Sequence, residues 1–114
     1  MKEFEFKQQI GKKGFYCRVQ YEIEIFDDAY YYIDCGASNK WANTINFSGS
    51  YFFEKFSGYK KRGFRLKIHN VNDMIIDTSQ MVVFYTIIKL LMQETGHVIT
   101  DLNLNENGAF VIPK

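Results

Sequence analysis

Two segments of alternating apolar and polar residues, joined by a glycine-lysine turn, constrain the fold of this chain more than any other feature. In the first segment, Phe4, Phe6 and Ile10 alternate with charged and amide side chains. In the second segment the apolar positions are Phe15, Cys17, Val19, Tyr21, Ile23 and Ile25. Because side chains along a strand point alternately to its two faces, this pattern predicts two strands that each bury one face.

The turn between these strands, Gly11-Lys12-Lys13-Gly14, is the first candidate binding site. Glycine tolerates positive φ and lets a backbone approach a ligand closely, and paired lysines carry positive charge to where a polyanion could meet it. An ordinary exposed hairpin turn would have the same sequence and is the commoner case. The turn therefore predicts a hairpin and offers a candidate contact with phosphate.

Further strands are indicated downstream of the hairpin. Residues 30–35 predict a third strand after the break at Asp27 and Asp28, and residues 64–69 predict a fourth strand before a turn at residues 70–73. Because the loops between the first three strands are short, we expect these three to form an antiparallel meander.

The segment between the third and fourth strands is harder to interpret. Residues 51–56 could form a short helix that ends near Gly58, although Gly49 weakens its start. Residues 37–48 are polar and predict no element. At the other end of the chain, residues 107–112 could close the fold with a short edge strand.

The main helix is expected over residues 78–95. Its core stripe recurs at helical spacing and consists of Met81, Phe84, Tyr85, Ile88, Leu91 and Met92. Asp77 and Gln80 resemble a capping box, and Gly96 is a natural stop. Apolar residues outside the stripe widen the surface, so we expect this helix to touch more than one layer.

Composition and motif content argue against several classes of function. A formal net charge of +1 gives no whole-surface attraction to nucleic acid, so such binding would rest on local clusters. Cys17 and Cys35 lack a CxxC motif and favour reduced thiols over a metal or redox site. His69 and His97 are far apart, Ser79 suits a helix start, and no P-loop occurs. We therefore expect no enzyme, no metal and no cofactor.

Length and hydropathy predict one domain without a membrane span. With 114 residues, 46% of them hydrophobic, the chain has material for a single core over residues 1–114. Residues 81–92 are too short to span a bilayer and are interrupted by Thr86 and Lys89. No leader-like sequence opens the chain, so we expect a cytoplasmic protein.

Two blocks of sequence carry a family resemblance. The first block consists of Lys7-Gln8 and, after a one-residue offset, Gly11, Lys13, Gly14, Tyr16 and Val19. The second runs from Gly58-Tyr59 through Ile68 and the 70–73 turn into Asp77-Thr78-Ser79-Gln80-Met81. In this order and spacing they resemble domain IV of the elongation factor G group of translational GTPases, over most of residues 7–94. Residues 37–50 lack the family's Ile-Pro segment, and Met74 stands where the family usually has a histidine.

The resemblance implies an α+β fold with the element order β-β-β-α-β-α(-β). In this two-layer sandwich, two helices cover one face of a mostly antiparallel sheet, and one β-α-β crossover is left-handed, against the usual rule. In the family, the loops that match residues 10–14 and 70–74 lie side by side at a tip. That tip reaches into the small ribosomal subunit beside transfer and messenger RNA. The implied RNA-binding candidates are Gly11, Lys12, Lys13, Gly14, Asn70 and Asn72.

A second basic cluster lies at the start of the fourth strand. It consists of Lys60, Lys61, Arg62 and Arg65. About eight strand residues at ~3.3 Å each would separate it from the tip by roughly 25 Å. We therefore expect two separate basic patches rather than one continuous surface.

Two functional hypotheses follow from these observations. The leading hypothesis is a stand-alone, non-catalytic binding module without a GTPase domain, which contacts ribosomal or other structured RNA through loops 10–14 and 70–74. The alternative is a module that binds a protein partner or a second copy through a tyrosine-rich sheet face or the apolar helix 78–95. That sheet face is expected to carry Tyr16, Arg18, Tyr30, Tyr32, Lys67 and His69.

Overall fold

The computed structural model describes residues 1–36, 39–58 and 61–113. The elements in chain order are β1 (Lys2–Ile10), β2 (Lys13–Phe26), β3 (Tyr31–Asp34), α1 (Ala42–Phe56), β4 (Gly63–Asn72), α2 (Gln80–Thr95), β5 (Asn103–Leu104) and β6 (Phe110–Val111). The first four strands form one sheet in the order β1-β2-β4-β3, and β5 pairs with β6 in a separate two-stranded sheet. Both helices pack on the same face of the larger sheet, which confirms the α+β sandwich.

The hairpin of β1 and β2 forms as the alternation predicts. The two strands pair antiparallel without interruption, from Lys2 opposite Tyr21 to Ile10 opposite Lys13. Gly11 has φ of 60° whereas Lys12 has negative φ, the pattern of a two-residue type II′ turn, in which glycine takes the first central position. The inward face of β2 is buried and consists of Phe15, Cys17, Val19 and Tyr21.

The predicted antiparallel meander is wrong, because β4 lies between β2 and β3. β4 pairs antiparallel with the long β2, from Gly63 opposite Phe26 to Asn72 opposite Arg18. β3 has only four residues and pairs parallel with the start of β4. The longer strand therefore takes the position beside β2, where more of its backbone is paired. β3, α1 and β4 form a β-α-β unit, and the hand of its crossover stays a prediction.

β4 continues through the segment for which the sequence predicts a turn. Its register against β2 shifts, with Ile68 opposite Tyr21 but Asn70 opposite Gln20. His69 is therefore the extra residue of a β-bulge. The bulge changes the phase of the strand, so Asn70 and Asn72 share the open face of the sheet with their partners on β2. The predicted turn at residues 70–73 is wrong, because β4 stays paired with β2 as far as Asn72.

α1 begins at Ala42, much earlier than the predicted short helix over residues 51–56. Gly49, which lowers helix propensity, lies in the middle of the helix. A Cβ at this position would lie 1.9 Å from Cδ1 of Ile33 on β3. The glycine therefore allows α1 to approach the sheet closely, and this packing outweighs its cost in helix propensity.

The N-cap of α2 is Ser79 rather than the predicted Asp77. The Ser79 hydroxyl accepts a hydrogen bond from the backbone N–H of Val82 at 3.3 Å, and Gly96 ends the helix with φ of 75°. The helix is buried almost all round, with Met81 the exposed apolar residue at its start. As expected, it touches more than one layer, since the sheet, α1 and the C-terminal segment all cover it.

The C-terminal segment packs across the helices instead of extending the main sheet. Phe110 on β6 contacts the ring of Tyr85 on α2 at 5.1 Å, and the Tyr51 hydroxyl on α1 donates to the carbonyl of Pro113 at 2.6 Å. The strand predicted near residues 107–112 exists, but it pairs with β5. Among the described residues, neither helix combines the length and apolar character needed to cross a bilayer.

Candidate functional site

The hairpin turn and the loop that follows β4 meet at one end of the sheet. We refer to these residues, 10–14 and 73–78, as the tip. The backbone N–H of Tyr16 donates to the carbonyl of Asp77 at 3.0 Å, which ties the loop to β2. A Cβ on Gly14 would lie 2.8 Å from Oδ2 of Asp77, so glycine here allows close approach without displacing that side chain. The structure thus brings the hairpin together with the segment after β4.

Thr78 closes the loop and attaches it to the sheet. Its side chain is buried, its hydroxyl donates to the carbonyl of Tyr16 at 2.5 Å, and it accepts from the backbone N–H of Met74 at 2.8 Å. The Met74 carbonyl accepts in turn from the backbone N–H of Thr78 at 2.9 Å. These bonds hold residues 74–78 in a closed turn beside the hairpin.

The tip carries an excess of positive charge. Lys12 and Lys13 are exposed, and the ammonium of Lys13 lies 6.0 Å from the ring centroid of Phe15. The carboxylate of Asp73 is engaged by Lys40 at 2.9 Å, and hydrogen bonds from Lys40 and the Trp41 indole lower its pKa. Within the described residues, Asp77 is therefore the acidic side chain at the tip that remains to offset the two lysines.

The tip also exposes apolar side chains, which sequence analysis missed. The exposed fractions are 49% for Met74, 102% for Ile75 and 92% for Ile76. Ile76 lines a cavity of about 610 Å³ together with both tip lysines. The signal in the sequence was an apolar run between a polar turn and a helix cap, where loop residues are usually polar. The candidate site therefore combines cationic and apolar groups on adjacent loops.

The structure separates Asn70 and Asn72 from the tip lysines. They lie on β4 opposite Gln20 and Arg18, and the amide of Asn70 donates to the side-chain oxygen of Asn72. Lys12 is six residues from Arg18 in sequence, which corresponds to ~20 Å along a strand. The two asparagines are thus part of the open sheet face and do not extend the lysine site.

The second basic cluster does not form one surface. Lys60 lies outside the described residues. Lys61 is exposed, whereas the guanidinium of Arg62 stacks on the ring of Phe56 at 4.3 Å, on the helix side of the sheet. Arg65 is exposed on the opposite, open face of β4. A polyanion that contacts one of these side chains therefore does not automatically reach the others.

The tip and the second cluster lie at opposite ends of the molecule. β4 begins at Gly63 opposite Phe26, and Lys13 lies about thirteen residues away along β2. At ~3.3 Å per residue this separation is about 43 Å, comparable with the longest dimension of 44 Å. It exceeds the expected ~25 Å because the hairpin extends well beyond the end of β4.

The open sheet face carries the expected aromatic and basic residues, but its charges are balanced. Arg18 forms an ion pair with Glu3 at 2.9 Å, and the hydrogen bond that it donates to this carboxylate raises the Arg18 pKa. The His69 ring is hydrogen-bonded to Glu22. Acidic partners in contact with the basic groups weaken attraction for phosphate, so this face suits solvent or a protein surface better than RNA.

Among the alternative surfaces, α2 offers little for a partner to bind. Nine of its residues, from Val82 to Leu91, are buried within the protomer. The wide apolar surface predicted from residues 78–95 is thus explained by the layers that cover it. The exception is Met81, which is 40% exposed and lines the cavity at the tip.

These features define a small α+β domain with a cationic and apolar tip. A scan against protein-family models found no match, and a search of curated proteins found none either. Among solved structures, the chain is similar to a crystal structure of a protein from Thermus thermophilus, with a TM-score of 0.58 and 16% identity. The match covers 76% of this chain but only 14% of that protein. At this identity the likeness shows the fold alone.

Proposed function

We propose that this chain is a non-catalytic, cytoplasmic binding module that contacts structured RNA, with ribosomal RNA as the leading candidate. The observation that carries the proposal is the tip itself, where Lys12 and Lys13 line a cavity with the exposed Ile76, and the exposed Ile75 precedes it on the same loop. Lysines neutralise phosphates without reading sequence. Exposed aliphatic side chains can pack against bases that are unstacked in loops and bulges. The resemblance to a ribosome-binding domain supports the same ligand class.

The charge at the tip sets the expected strength of this interaction. Two phosphate contacts give a slope of about −1.5 to −2 for log affinity against log salt, which is a modest electrostatic term. Such a site binds weakly and loses affinity as salt rises. Specific binding would therefore also require the apolar contacts from loop 73–78.

The test measures binding to purified small-subunit ribosomal RNA and co-sedimentation with ribosomes, over a range of salt concentrations. Lys12→Ala/Lys13→Ala should weaken binding and reduce the salt slope by about one per lysine. Lys61→Ala is the matched control, because it removes an exposed lysine from the far end of the molecule. Equal binding by the wild type and the double variant would refute the RNA proposal.

A protein partner is the second candidate, and the exposure of Ile75 and Ile76 favours it. Exposed aliphatic side chains on a loop closed by hydrogen bonds are suited to a hydrophobic pocket on a partner. In that case Ile75→Ser/Ile76→Ser would abolish binding while the lysine variant would have little effect. Binding would also depend only weakly on salt, which distinguishes this candidate from RNA.

A further inference from the structure

β1 leaves one edge of the main sheet open. In the part of the chain that the structure describes, β1 pairs only with β2, and this pairing extends over all nine of its residues without a bulge. Among the described residues, no backbone hydrogen bond reaches β1 from outside the main sheet. The strand also contains no proline. An uninterrupted edge of this length is a template for pairing with another strand, and native proteins commonly cover or distort such edges.

Lys2 and Glu3 of β1 form ion pairs within the protomer, but two further side chains of opposite charge on this strand do not. Glu5 and Lys7 lie on its open face, and neither forms an ion pair with any other described residue. On the other face, Phe4 and Phe6 are only partly buried against the core. The edge therefore offers charge and apolar surface that remain unsatisfied in a single chain.

We propose that a second copy of this chain pairs antiparallel with β1, with Phe6 opposite Phe6 of the other copy. A twofold axis perpendicular to the sheet requires one residue of each strand to face its own equivalent. Phe6 is the midpoint of Lys2–Ile10, so this register pairs all nine residues. It also places Glu5 opposite Lys7 on each side of the axis, and opposite charges at facing positions stabilise a sheet.

The neighbouring registers are disfavoured by the same charges. A symmetric shift in one direction places Glu5 opposite Glu5 and faces Lys7 with Glu3, whose carboxylate Arg18 already engages within the protomer, and a shift in the other direction places Lys7 opposite Lys7. Like charges at facing positions are destabilising, and either shift also reduces the number of paired residues. Strand length and charge therefore select the same register. Charges that served only to keep an edge strand soluble would not need to agree with its length in this way.

The resulting dimer has one continuous sheet with the helices of both copies on the same face. Because the strands are antiparallel, the two tips point in opposite directions. Each Lys12 is six residues beyond Phe6, so the tips are ~40 Å apart along the strand direction. Neither tip is covered by the pairing, and the dimer can therefore fail independently of the proposed RNA contact.

The first experiment measures mass and amide exchange of the full chain as its concentration is raised. Sedimentation equilibrium should show the mass rising towards twice the 13.5 kDa of one chain. Amide protons at alternate residues of β1 should become more protected over the same concentration range. A mass of one chain up to ~1 mM, or dimerisation without added protection in β1, would overturn the proposal.

The second experiment tests the register by exchanging charges. Lys7→Glu and Glu5→Lys each create two like-charge pairs per dimer and should raise the dissociation constant about tenfold or more. The double variant Glu5→Lys/Lys7→Glu restores opposite charges and should return to within about threefold of the wild type. Lys61→Glu, the same charge change at an exposed distant site, should have no effect. A double variant as weak as the single variants contradicts this register.

Discussion

Replacing Thr78 with valine should detach the tip loop while leaving the core unchanged. The Thr78 hydroxyl donates to the carbonyl of Tyr16 and accepts from the backbone N–H of Met74. Valine keeps a similar volume but can do neither. Because Thr78 is only 8% exposed, water does not simply take the place of the hydroxyl.

The size of the effect follows from these two bonds. Each contributes about 0.5–1.5 kcal/mol net, and a buried partner left unsatisfied adds about 1–3 kcal/mol. Met74 is half-exposed and can bond to water, whereas the Tyr16 carbonyl lies beneath the loop. We therefore expect the free energy of unfolding to fall by about 3 kcal/mol. For a domain of this size, that loss lowers Tm by about 12 °C.

Urea denaturation and calorimetry measure the loss, and Thr86→Val provides the matched control. Thr86 is fully buried, and its hydroxyl donates at 2.7 Å to the Val82 carbonyl inside α2. When the hydroxyl is removed, the Val82 carbonyl still takes part in the helical hydrogen-bond pattern. The neighbouring Cys17 thiol is only a weak donor, so little is lost there either. The control should therefore change stability by less than about 1 kcal/mol.

A second measurement distinguishes loop attachment from general destabilisation. In Thr78→Val, amide exchange should accelerate within residues 73–78 more than in the inner strands, and affinity for ribosomal RNA should fall although both tip lysines remain. Equal losses of stability in the two threonine variants would show that the hydroxyl of Thr78 has no special role. Unchanged exchange in the loop would refute the proposed attachment.

Three further predictions concern packing, pH and thiol reactivity. Gly63→Ala should lower the free energy of unfolding in urea by about 3 kcal/mol or more, because its Cβ would lie 1.9 Å from the Tyr30 carbonyl oxygen. Gly58→Ala is the control and should be near neutral, because its Cβ would have no atom nearer than 3.5 Å. Similar losses for both variants would contradict this packing. Burial raises the Glu94 pKa, but hydrogen bonds from Lys2 and Tyr21 outweigh it and leave the pKa below its usual value. The stabilisation from Glu94 is therefore complete above the unfolded-state pKa near 4.5 and disappears as pH falls through the folded-state pKa. Glu94→Gln should therefore flatten the decline in the free energy of unfolding measured between pH 5 and 2. An unchanged decline would exclude this role for Glu94. Burial raises the Cys17 pKa to about 11, so iodoacetamide should label the half-buried Cys35 first, as followed by mass spectrometry. Faster labelling of Cys17 in the folded protein would show that the core opens.

The elements that could be predicted from the sequence are those fixed by local signals. The alternation over β1 and β2 depends on which face of each strand is buried, and a glycine turn joins them. α2 has a strong apolar pattern and a glycine stop at Gly96. In contrast, the glycine in the middle of α1 is explained by contact with Ile33, which lies on a strand far from it in sequence. No local pattern reveals that contact.

Strand pairing and phase were also beyond local reasoning. The position of β4 between β2 and β3 depends on the relative lengths of strands that are distant in sequence. The bulge at His69 inserts one residue and moves Asn70 and Asn72 onto the open face. Part of the candidate site was predicted, since Lys12 and Lys13 lie at the turn as expected. Ile75 and Ile76 were missed because exposure of apolar residues is a property of the folded loop.

Residues from the two sequence blocks, within 7–19 and 58–81, meet in space at the tip. Gly14 from the first block is in close contact with Asp77 from the second, and Tyr16 is hydrogen-bonded to both Asp77 and Thr78. The hydrogen bonds of Tyr16 with Asp77 and Thr78 hold one loop against the other, whatever ligand the tip binds. These motif residues therefore serve the architecture of this tip. The chemistry of recognition depends instead on side chains that take no part in this attachment, above all Lys12 and the exposed isoleucines of loop 73–78.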